Sequence, residues 1–267
     1  MAAAGGDGTV GAVAAGLHGA AAAGVSPPPL AILPIGTGND FARHFGLPTD
    51  ALEALRAARA AAAAGAFRRV DLVRCESAQR PGESAWALNA VVGGLGGRIG
   101  DAIDAGLRRR WGRLVYLRAG LADLLRHPAH AVRLRVDERR YDLDAIMVVV
   151  AGGRYAGGGI PFAPAADPCD GRLDVTVVRR TALPRLPATV LGVLRGDPAD
   201  ADNLLHLAGR RVAIEAGGDF WLNLDGETWT SGSARFEIVP GAIRLAVPPA
   251  PAPPAGQRWG RARRRSR

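Results

Sequence analysis

The sequence contains no lysine, so all 34 of its basic side chains are arginine. Together with the abundance of alanine and glycine, this absence is typical of biased codon usage, which makes the net charge of +9 weak evidence for nucleic-acid binding. Arginines crowd the last ten residues, after the proline-rich stretch Pro248–Pro254. We therefore predict that residues 248–267 form a disordered tail, proline-rich and then arginine-rich, and we expect no specific nucleic acid as a partner.

Cysteine, clustered histidine and long apolar runs are also scarce. Cys75 and Cys169 have no metal-binding or redox spacing and the histidines are scattered, so the sequence does not predict a zinc site. The longest apolar runs, such as Ala145–Ala151, fall well short of the roughly 18 residues that indicate a membrane span. Met1–Ala4 lacks the charged start of a signal peptide. We therefore expect a cytoplasmic protein.

The first 66 residues predict the pieces of an α/β layer. A glycine-rich turn at Gly5–Thr9 precedes a small-residue helix, Leu30–Ile35 predicts a buried strand, and a second glycine-rich turn begins at Gly36. Asp50 is a good N-cap for a further alanine-rich helix. Because one clear strand makes a poor independent core, we expect either that this part leans on the rest of the chain or that strands before Gly5 are missing.

Beyond residue 66 the pattern changes to short strands bounded by turn residues, which favours a mostly antiparallel β-sandwich or barrel. We therefore place one domain at residues 1–66 and a second at residues 67–247. The predicted strands are Phe67–Arg74, Ala85–Val92, Val132–Val136, Tyr141–Val150, Leu173–Val178, Arg211–Ile214, Phe220–Leu224, Arg235–Val239 and Ala242–Val247. Helical insertions are predicted near Arg98–Gly106, Arg113–Arg126 and Ala188–Leu194.

The first turn, Gly5–Thr9, reads GGDGT and combines glycines with one carboxylate and one hydroxyl. Glycines let backbone N–H groups approach a phosphate closely, and a helix that begins after them directs its positive end at the same anion. Asp7 could then bind Mg²⁺ or its waters. The alternative is a turn that only reverses the chain, and NAD kinases and phosphofructokinases have similar motifs.

The second turn contains the same groups. Leu33–Arg43 reads LPIGTGNDFAR and again sets glycines, a hydroxyl and a carboxylate between a strand and a helix. Two such junctions can converge on one polyphosphate, although Asn39-Asp40 is also an ordinary helix cap. GGDGT followed by LPIGTGNDFAR strongly resembles the diacylglycerol kinase catalytic family, which includes the sphingosine and ceramide kinases and many bacterial lipid kinases.

The resemblance continues to about residue 247. Trp86–Gly96 is similar to the family segment that follows the first β-strands, and Val149–Gly159 looks like the family's strand and YxGGG turn. Ala163–Val175 resembles its approach to DGxLDV, and Leu224–Glu227 matches its DGE. Taken alone, the Asp-Gly pairs in these last two segments are also ordinary hairpin turns.

This resemblance implies both a fold and a reaction. The implied fold is a truncated α/β nucleotide-binding domain, like that of NAD kinases and diacylglycerol kinases, followed by a mostly antiparallel β-sandwich that binds the lipid. The implied reaction is transfer of the γ-phosphate of ATP to a lipid hydroxyl, with Mg²⁺. The phosphates and the ion would be held by residues of the two turns: Gly5, Gly6, Asp7, Gly8, Thr9, Gly36, Thr37, Gly38, Asn39 and Asp40.

The resemblance also assigns roles to acidic residues. Glu227 would be the general base for the lipid hydroxyl, and Asp7 would be the second catalytic carboxylate. Asp170, together with backbone carbonyls near Asp167 and Arg172, would form a structural Mg²⁺ site that supports the catalytic region, since hard oxygen ligands suit this ion.

The partners that we expect are a lipid alcohol substrate, a membrane surface contacted peripherally, and a second copy of the chain in a homodimer. Leu107–Leu125 interleaves arginines with Trp111 and Tyr116. This pattern favours either contact with anionic headgroups or an amphipathic helix that covers the β core.

Two departures from the family pattern leave alternatives open. Family members begin with further strand–helix units, including an NPxSG-like turn that contacts ATP, so we expect an N-terminally truncated member. Gly11-Ala12 stands where the family usually has Asn-Glu. The alternatives are a catalytically impaired lipid-binding or regulatory relative and an NAD kinase, although LPIGTGNDFAR and the YxGGG turn speak against the latter. The motifs do not distinguish between acceptor lipids.

Overall fold

The computed structural model describes residues 1–94, 129–181, 186–196 and 203–248. The elements of its first part are β1 (Ala2–Gly5), α1 (Asp7–Ala22), β2 (Ala31–Pro34), α2 (Asp40–His44) and α3 (Ala51–Ala63). β1 and β2 are parallel, with Gly5 opposite Pro34, so both strands end at the same edge. The Asp50 side chain accepts hydrogen bonds from the N–H groups of Leu52 and Glu53, which confirms the predicted N-cap of α3.

β1 is a strand that the sequence did not predict. Its residues, Ala-Ala-Ala-Gly, have low β propensity, and only the pairing with β2 identifies them as a strand. The expectation of a single strand in this part was therefore wrong.

The second part is an antiparallel sheet of eleven described strands. Their order is β12-β11-β5-β7-β6-β10-β13-β3-β4, and β8 lies beside this path, paired with β7 and β9. The strands and the one described helix are β3 (Phe67–Ser77), β4 (Ser84–Ala87), β5 (Ala90–Gly94), β6 (His130–Val136), β7 (Arg139–Ala151), β8 (Leu173–Arg179), α4 (Leu186–Arg195), β9 (Leu204–Gly209), β10 (Arg211–Glu215), β11 (Trp221–Leu224), β12 (Glu227–Ser231) and β13 (Ala234–Ala246).

β12, at one end of this strand order, meets β3, which is next to the strand at the other end. The hydroxyl of Ser77 on β3 lies 2.7 Å from that of Thr230 on β12, and Gln79 Nε2 donates to Ser231 Oγ at 2.9 Å. One hydrophobic cluster accordingly joins residues from nearly every strand, including Leu222 and Phe236. The sheet therefore folds over its own core, and the predicted α/β part followed by a mostly antiparallel β-sandwich is confirmed.

Several predicted boundaries were wrong. Ala85–Val92 is divided between β4 and β5, because the intervening N–H groups bond to the side chain of Asp225 rather than to a neighbouring strand. The two strands predicted at the C-terminal end are one strand, β13, with an irregularity between Val239 and Ile243. β9 and β12 were missed, since their polar and glycine residues give a weak alternating pattern.

The predicted helix at Ala188–Leu194 lies within α4, whereas those at Arg98–Gly106 and Arg113–Arg126 lie outside the described residues. Most of the predicted tail, from residue 249, and the arginine-rich segment Leu107–Leu125 also lie outside them. Among the helices that the structure describes, none is both long and apolar enough to cross a membrane.

The first part completes its core with residues of the second. Val10 of α1, Ile32 of β2 and Phe41 of α2 belong to the same buried cluster as residues of β3 and β13, including Leu72 and Leu245. The N–H of Leu30 donates to the carbonyl of Arg244, and the carbonyl of Leu30 accepts from Ala246, both at 2.7 Å. The first part therefore does lean on the rest of the chain.

Leu30→Ala tests this shared core. Leu30 is 0% exposed and its loss leaves a cavity between the two parts, so we expect the free energy of unfolding to fall by about 2–5 kcal/mol in urea titrations. The control is Leu52→Ala, at a side chain that is 54% exposed, which should change it by no more than about 0.5 kcal/mol. Equal effects of the two substitutions would contradict the packing described here.

Candidate active site

The two glycine-rich turns lie side by side at the carboxyl ends of β1 and β2. The backbones are so close that a Cβ added to Gly36 would collide with the Cα and N atoms of Gly6. Only glycine fits at this contact. In a parallel sheet, the crevice beyond the carboxyl ends of the strands is the usual place for a ligand, and both motifs predicted to bind phosphate reach it together.

Asp7 connects the two turns. It is the first residue of α1, and its carboxylate accepts hydrogen bonds from the backbone N–H groups of Asp40 at 3.0 Å and Phe41 at 2.9 Å. Asp7 thus caps the N-terminus of α2 from a distant part of the chain. The side chain of Asn39 is also engaged, since it donates to the carbonyls of Pro34 and Gly36 and accepts from the N–H of Gly36.

Asp40 connects the second turn to a third glycine-rich segment. Its Oδ2 accepts a hydrogen bond from the N–H of Gly158 at 2.8 Å, in the predicted YxGGG turn. Its Oδ1 is buried and has no hydrogen-bond partner in the described part of the chain, with Nε of Arg43 3.9 Å away. Burial raises the pKa of Asp40 and the charge of Asp7 raises it further, while backbone hydrogen bonds from Gly158 and Gly159 and the charge of Arg43 oppose both. A bound cation would relieve this cost.

Glu227 reaches the same place from the second part of the chain. It begins β12, directly after the turn Asp225-Gly226, and a Cβ added to Gly8 would lie only 3.1 Å from its Oε1. Gly226 donates its N–H to Asn223 Oδ1 at 2.9 Å, which closes the hairpin. The structure therefore brings the predicted base next to the first turn.

Asp225, which the sequence did not mark as a site residue, is enclosed beside this hairpin. Its carboxylate accepts three hydrogen bonds, from the N–H groups of Leu88 at 2.7 Å, Asn89 at 3.0 Å and Ala90 at 2.9 Å. Burial raises the pKa of Asp225 to about 7, with a smaller contribution from the charge of Asp7. The three hydrogen bonds lower the pKa, but the loss of solvent around the carboxylate outweighs them. The Asp-Gly pair indicated a turn, but no sequence signal pointed to these distant partners.

Asn89 is the second residue that the sequence analysis missed. It is 4% exposed, and its Nδ2 donates to the carbonyl of Tyr155 at 2.9 Å. Its own carbonyl accepts from the N–H groups of Gly152 and Gly153. Asn89 and Asp40 therefore hold the glycine-rich segment 152–159 at two points.

A buried carboxylate of β3, which the sequence did not single out, lies beside the predicted metal loop. Asp71 is 3% exposed and accepts from the N–H groups of Gly171 at 2.8 Å and Gly241 at 2.7 Å. Burial raises the pKa of Asp71, and the charges of Asp170 and Asp167 raise it further. Asp170 Oδ1 itself accepts from the N–H of Arg172 at 3.0 Å.

These contacts leave the structural Mg²⁺ site a prediction. Where the structure describes the chain, no three His, Cys, Asp or Glu side chains are grouped so as to hold a metal ion. The predicted site would instead use one carboxylate and backbone carbonyls. Of those carbonyls, that of Asp167 accepts the N–H of Asp170 at 3.2 Å.

A separate groove of about 280 Å³ lies on the exposed face of β3, β13, β10 and β6, and none of the predicted site residues lines it. Arg74, Arg135, Arg211 and Arg235 line it together with Glu76, Asp137, Glu138 and Glu237. Because the two signs of charge balance, the groove does not favour an anionic ligand, and we do not regard it as the site.

Comparison with known proteins matches both parts of the chain to described families. Residues 1–75 match the family described as diacylglycerol kinase catalytic domain, and residues 89–247 match the YegS C-terminal NAD kinase beta sandwich-like domain. A protein of Stenotrophomonas maltophilia named "Probable lipid kinase YegS-like" is 35% identical over 252 residues, which cover 92% of this chain and 78% of the relative. One of the same name from Chromohalobacter salexigens is 32% identical, covering 91% and 74%.

A solved structure is also similar. The crystal structure of a diacylglycerol kinase from Bacillus anthracis superposes with a TM-score of 0.70 at 27% identity and covers 93% of this chain and 77% of that one.

The raised pKa of Asp225 predicts a pH dependence of stability. A carboxyl whose pKa is higher in the folded than in the unfolded protein stabilises the fold at low pH, and this contribution is lost as the pH rises towards and through the folded value, here about 7. Between pH 5 and pH 8, the wild type should therefore lose a few kcal/mol of unfolding free energy relative to Asp225→Asn, as measured by urea unfolding. Parallel pH curves for the two proteins would contradict it.

Proposed function

Because this chain belongs to the diacylglycerol kinase catalytic family and is a lipid kinase, we propose that it transfers the γ-phosphate of ATP to the hydroxyl of a lipid alcohol. The first 66 residues would contribute to the nucleotide site, and residues 67–247 would bind the lipid. The reaction needs an in-line arrangement of hydroxyl and phosphate, neutralised phosphate charge and a proton acceptor.

The observation that carries the proposal is the approach of Glu227 to the first glycine-rich turn, where a Cβ added to Gly8 would lie 3.1 Å from its Oε1. Glu227 belongs to the β-sandwich and Gly8 to the α/β part. A carboxylate from the lipid-binding side thus lies beside a predicted phosphate-binding turn. This arrangement suits a group that must meet both substrates.

The two turns would hold the phosphates. Gly8 and Thr9 lie in the first turn of α1, whose N–H groups attract anions. Thr37 is exposed on the neighbouring turn and offers a second hydroxyl. Asn39 and Asp7 would act mainly by keeping these turns in place, since their side chains are bonded to the backbone.

The residues present fit a Mg²⁺ ion that accompanies ATP. Oδ1 of Asp40 is buried without a hydrogen-bond partner in the described part of the chain, and the neighbouring carboxylate of Asp7 raises the pKa of Asp40. A hard cation bound by Asp40, with Asp7 nearby, would offset the cost of burying the Asp40 charge. It would also neutralise phosphate charge.

Glu227 would act as the general base. An alcohol is a weak nucleophile, so its proton must pass to a carboxylate while the oxygen forms its bond to the γ-phosphorus and the bond to ADP breaks. Glu227 is exposed and therefore accessible to a lipid hydroxyl that approaches from solvent or a membrane surface.

Glu227→Gln tests this role. The substitution keeps the size of the side chain but removes the proton acceptor, so turnover should fall about 10²–10⁴-fold. The assay would follow transfer of labelled γ-phosphate to diacylglycerol and other lipid alcohols in mixed micelles, with and without Mg²⁺. KM for ATP should change little.

The matched control is Glu237→Gln, on the exposed face of β13, which should remain active. Near-normal turnover of Glu227→Gln would move the base elsewhere. Phosphorylation of NAD without any lipid turnover would overturn the proposed function.

Asp170→Ala tests the proposed structural Mg²⁺ site. If the site exists, Mg²⁺ should raise the thermal midpoint of the wild type, since saturation at a hundred times the Kd adds about 2.7 kcal/mol. The variant should lose this increase, whereas Glu83→Ala, at an exposed carboxylate of another loop, should keep it. An equal response of all three proteins to Mg²⁺ would argue against the site.

A further inference from the structure

We propose that Asp225 is a positioning residue: its carboxylate, held by three backbone N–H groups, sets the place of Glu227 along helix α1. The inference rests on the proposed role of Glu227 as the base. Asp225 itself would not touch either substrate, because its two oxygens are engaged with the backbone of residues 88–90.

Asp225 is anchored at the start of β5. Oδ2 of Asp225 accepts the N–H of Leu88, while Oδ1 accepts those of Asn89 and Ala90. The N–H of Asp225 in turn donates to the carbonyl of Ala90 at 3.0 Å. Four hydrogen bonds thus join this one residue to three consecutive residues of another segment, and they anchor the hairpin to the start of β5.

The carboxylate of Asp225 also lies against α1. Gly11 is buried, and a Cβ placed on it would lie 2.9 Å from Oδ2 of Asp225, closer than two such atoms can approach. Glycine is unfavourable inside a helix, and here it allows the Asp225 carboxylate to lie directly against the helix backbone.

The two contacts define a register between hairpin and helix. Gly8 and Gly11 are three residues apart and lie on the same face of α1, and they receive the carboxylates of Glu227 and Asp225 respectively. Since Asp225 is held by the backbone of residues 88–90, it determines which helix residue Glu227 faces. Glu227 is thereby directed to the turn predicted to bind phosphate.

This placement matters for rate because a general base works only within hydrogen-bond reach of the proton, and displacement by about 1 Å can cost roughly 10²-fold. Asp225→Asn keeps the shape of the side chain. However, it replaces one accepting oxygen by an NH₂ group, which cannot accept from the N–H groups that it faces. The hairpin would then lose part of its anchor.

A double-mutant cycle with Glu227 tests whether Asp225 acts through the base. Asp225→Asn alone should lower kcat by about 10–100-fold, with KM for ATP within about twofold of the wild type. Added to Glu227→Gln, it should lower kcat by less than about threefold further, because there is no base left to misplace. Fully multiplicative losses would overturn the proposal, since they would show that the two residues act independently.

A pair of glycine substitutions in one helix tests the register. Gly11→Ala should lower kcat like Asp225→Asn, because the new methyl group displaces the carboxylate. Gly16→Ala places the same methyl group on α1 where no atom lies within 4 Å, and it should leave kcat unchanged. Normal kcat in Gly11→Ala, with the protein folded, would overturn the register argument.

Amide hydrogen exchange separates this inference from the proposed function. Asp225→Asn and Gly11→Ala should each increase exchange at residues 226–228, and Gly16→Ala should not. Unchanged exchange in the first two variants would overturn the positioning role even if the protein is an active kinase. Absence of lipid phosphorylation in the wild type would instead remove the proposed function, while increased exchange would still establish that Asp225 fixes the hairpin.

Discussion

The arrangement of this molecule depends on one kind of interaction, in which an aspartate carboxylate accepts hydrogen bonds from backbone N–H groups far away in the sequence. Asp7 reaches 33 residues to α2, Asp40 reaches 118 residues to Gly158, and Asp225 reaches 137 residues back to Leu88. Each bond satisfies backbone N–H groups at the start of a helix, before a strand or in a loop, which would otherwise lack partners. The site is therefore assembled by carboxylates that connect its parts, besides any that act on a ligand.

The same interaction explains how much the sequence could predict. The glycine-rich turns and the cap at Asp50 depend on neighbouring residues, so local patterns identified them. The division of Ala85–Val92 into β4 and β5 could not be predicted, because its cause is a side chain on a hairpin more than a hundred residues later. β1 was missed for a related reason, since only its partner β2 makes those residues a strand.

The same contrast between local patterns and distant contacts applies to the site residues. Glu227 was identified through a motif, and the structure places it against Gly8. Asp225 was regarded as half of a turn, yet it is the more enclosed of the two acids and has a pKa of about 7. Asp40 and Asp71 are buried and Asp225 is partly buried, and loss of solvent raises the pKa of all three. This accumulation of unfavourable charge is common at functional sites, where local stability is given up for chemistry.

The long pair of strands β3 and β13 has a consequence for motion. Their ladder runs from Phe67 opposite Ala246 to Ser77 opposite Ala234. At one end its side chains, such as Leu72 and Leu245, belong to the core shared with the helices, and at the other end, such as Cys75 and Phe236, to the core of the sandwich. Both strands belong to the second part, so a hinge between the two parts would leave the ladder intact but would have to separate Leu72 and Leu245 from the helices of the first part. Relative motion of the two parts would therefore expose apolar side chains of this shared core to water, which disfavours a change in the angle between them.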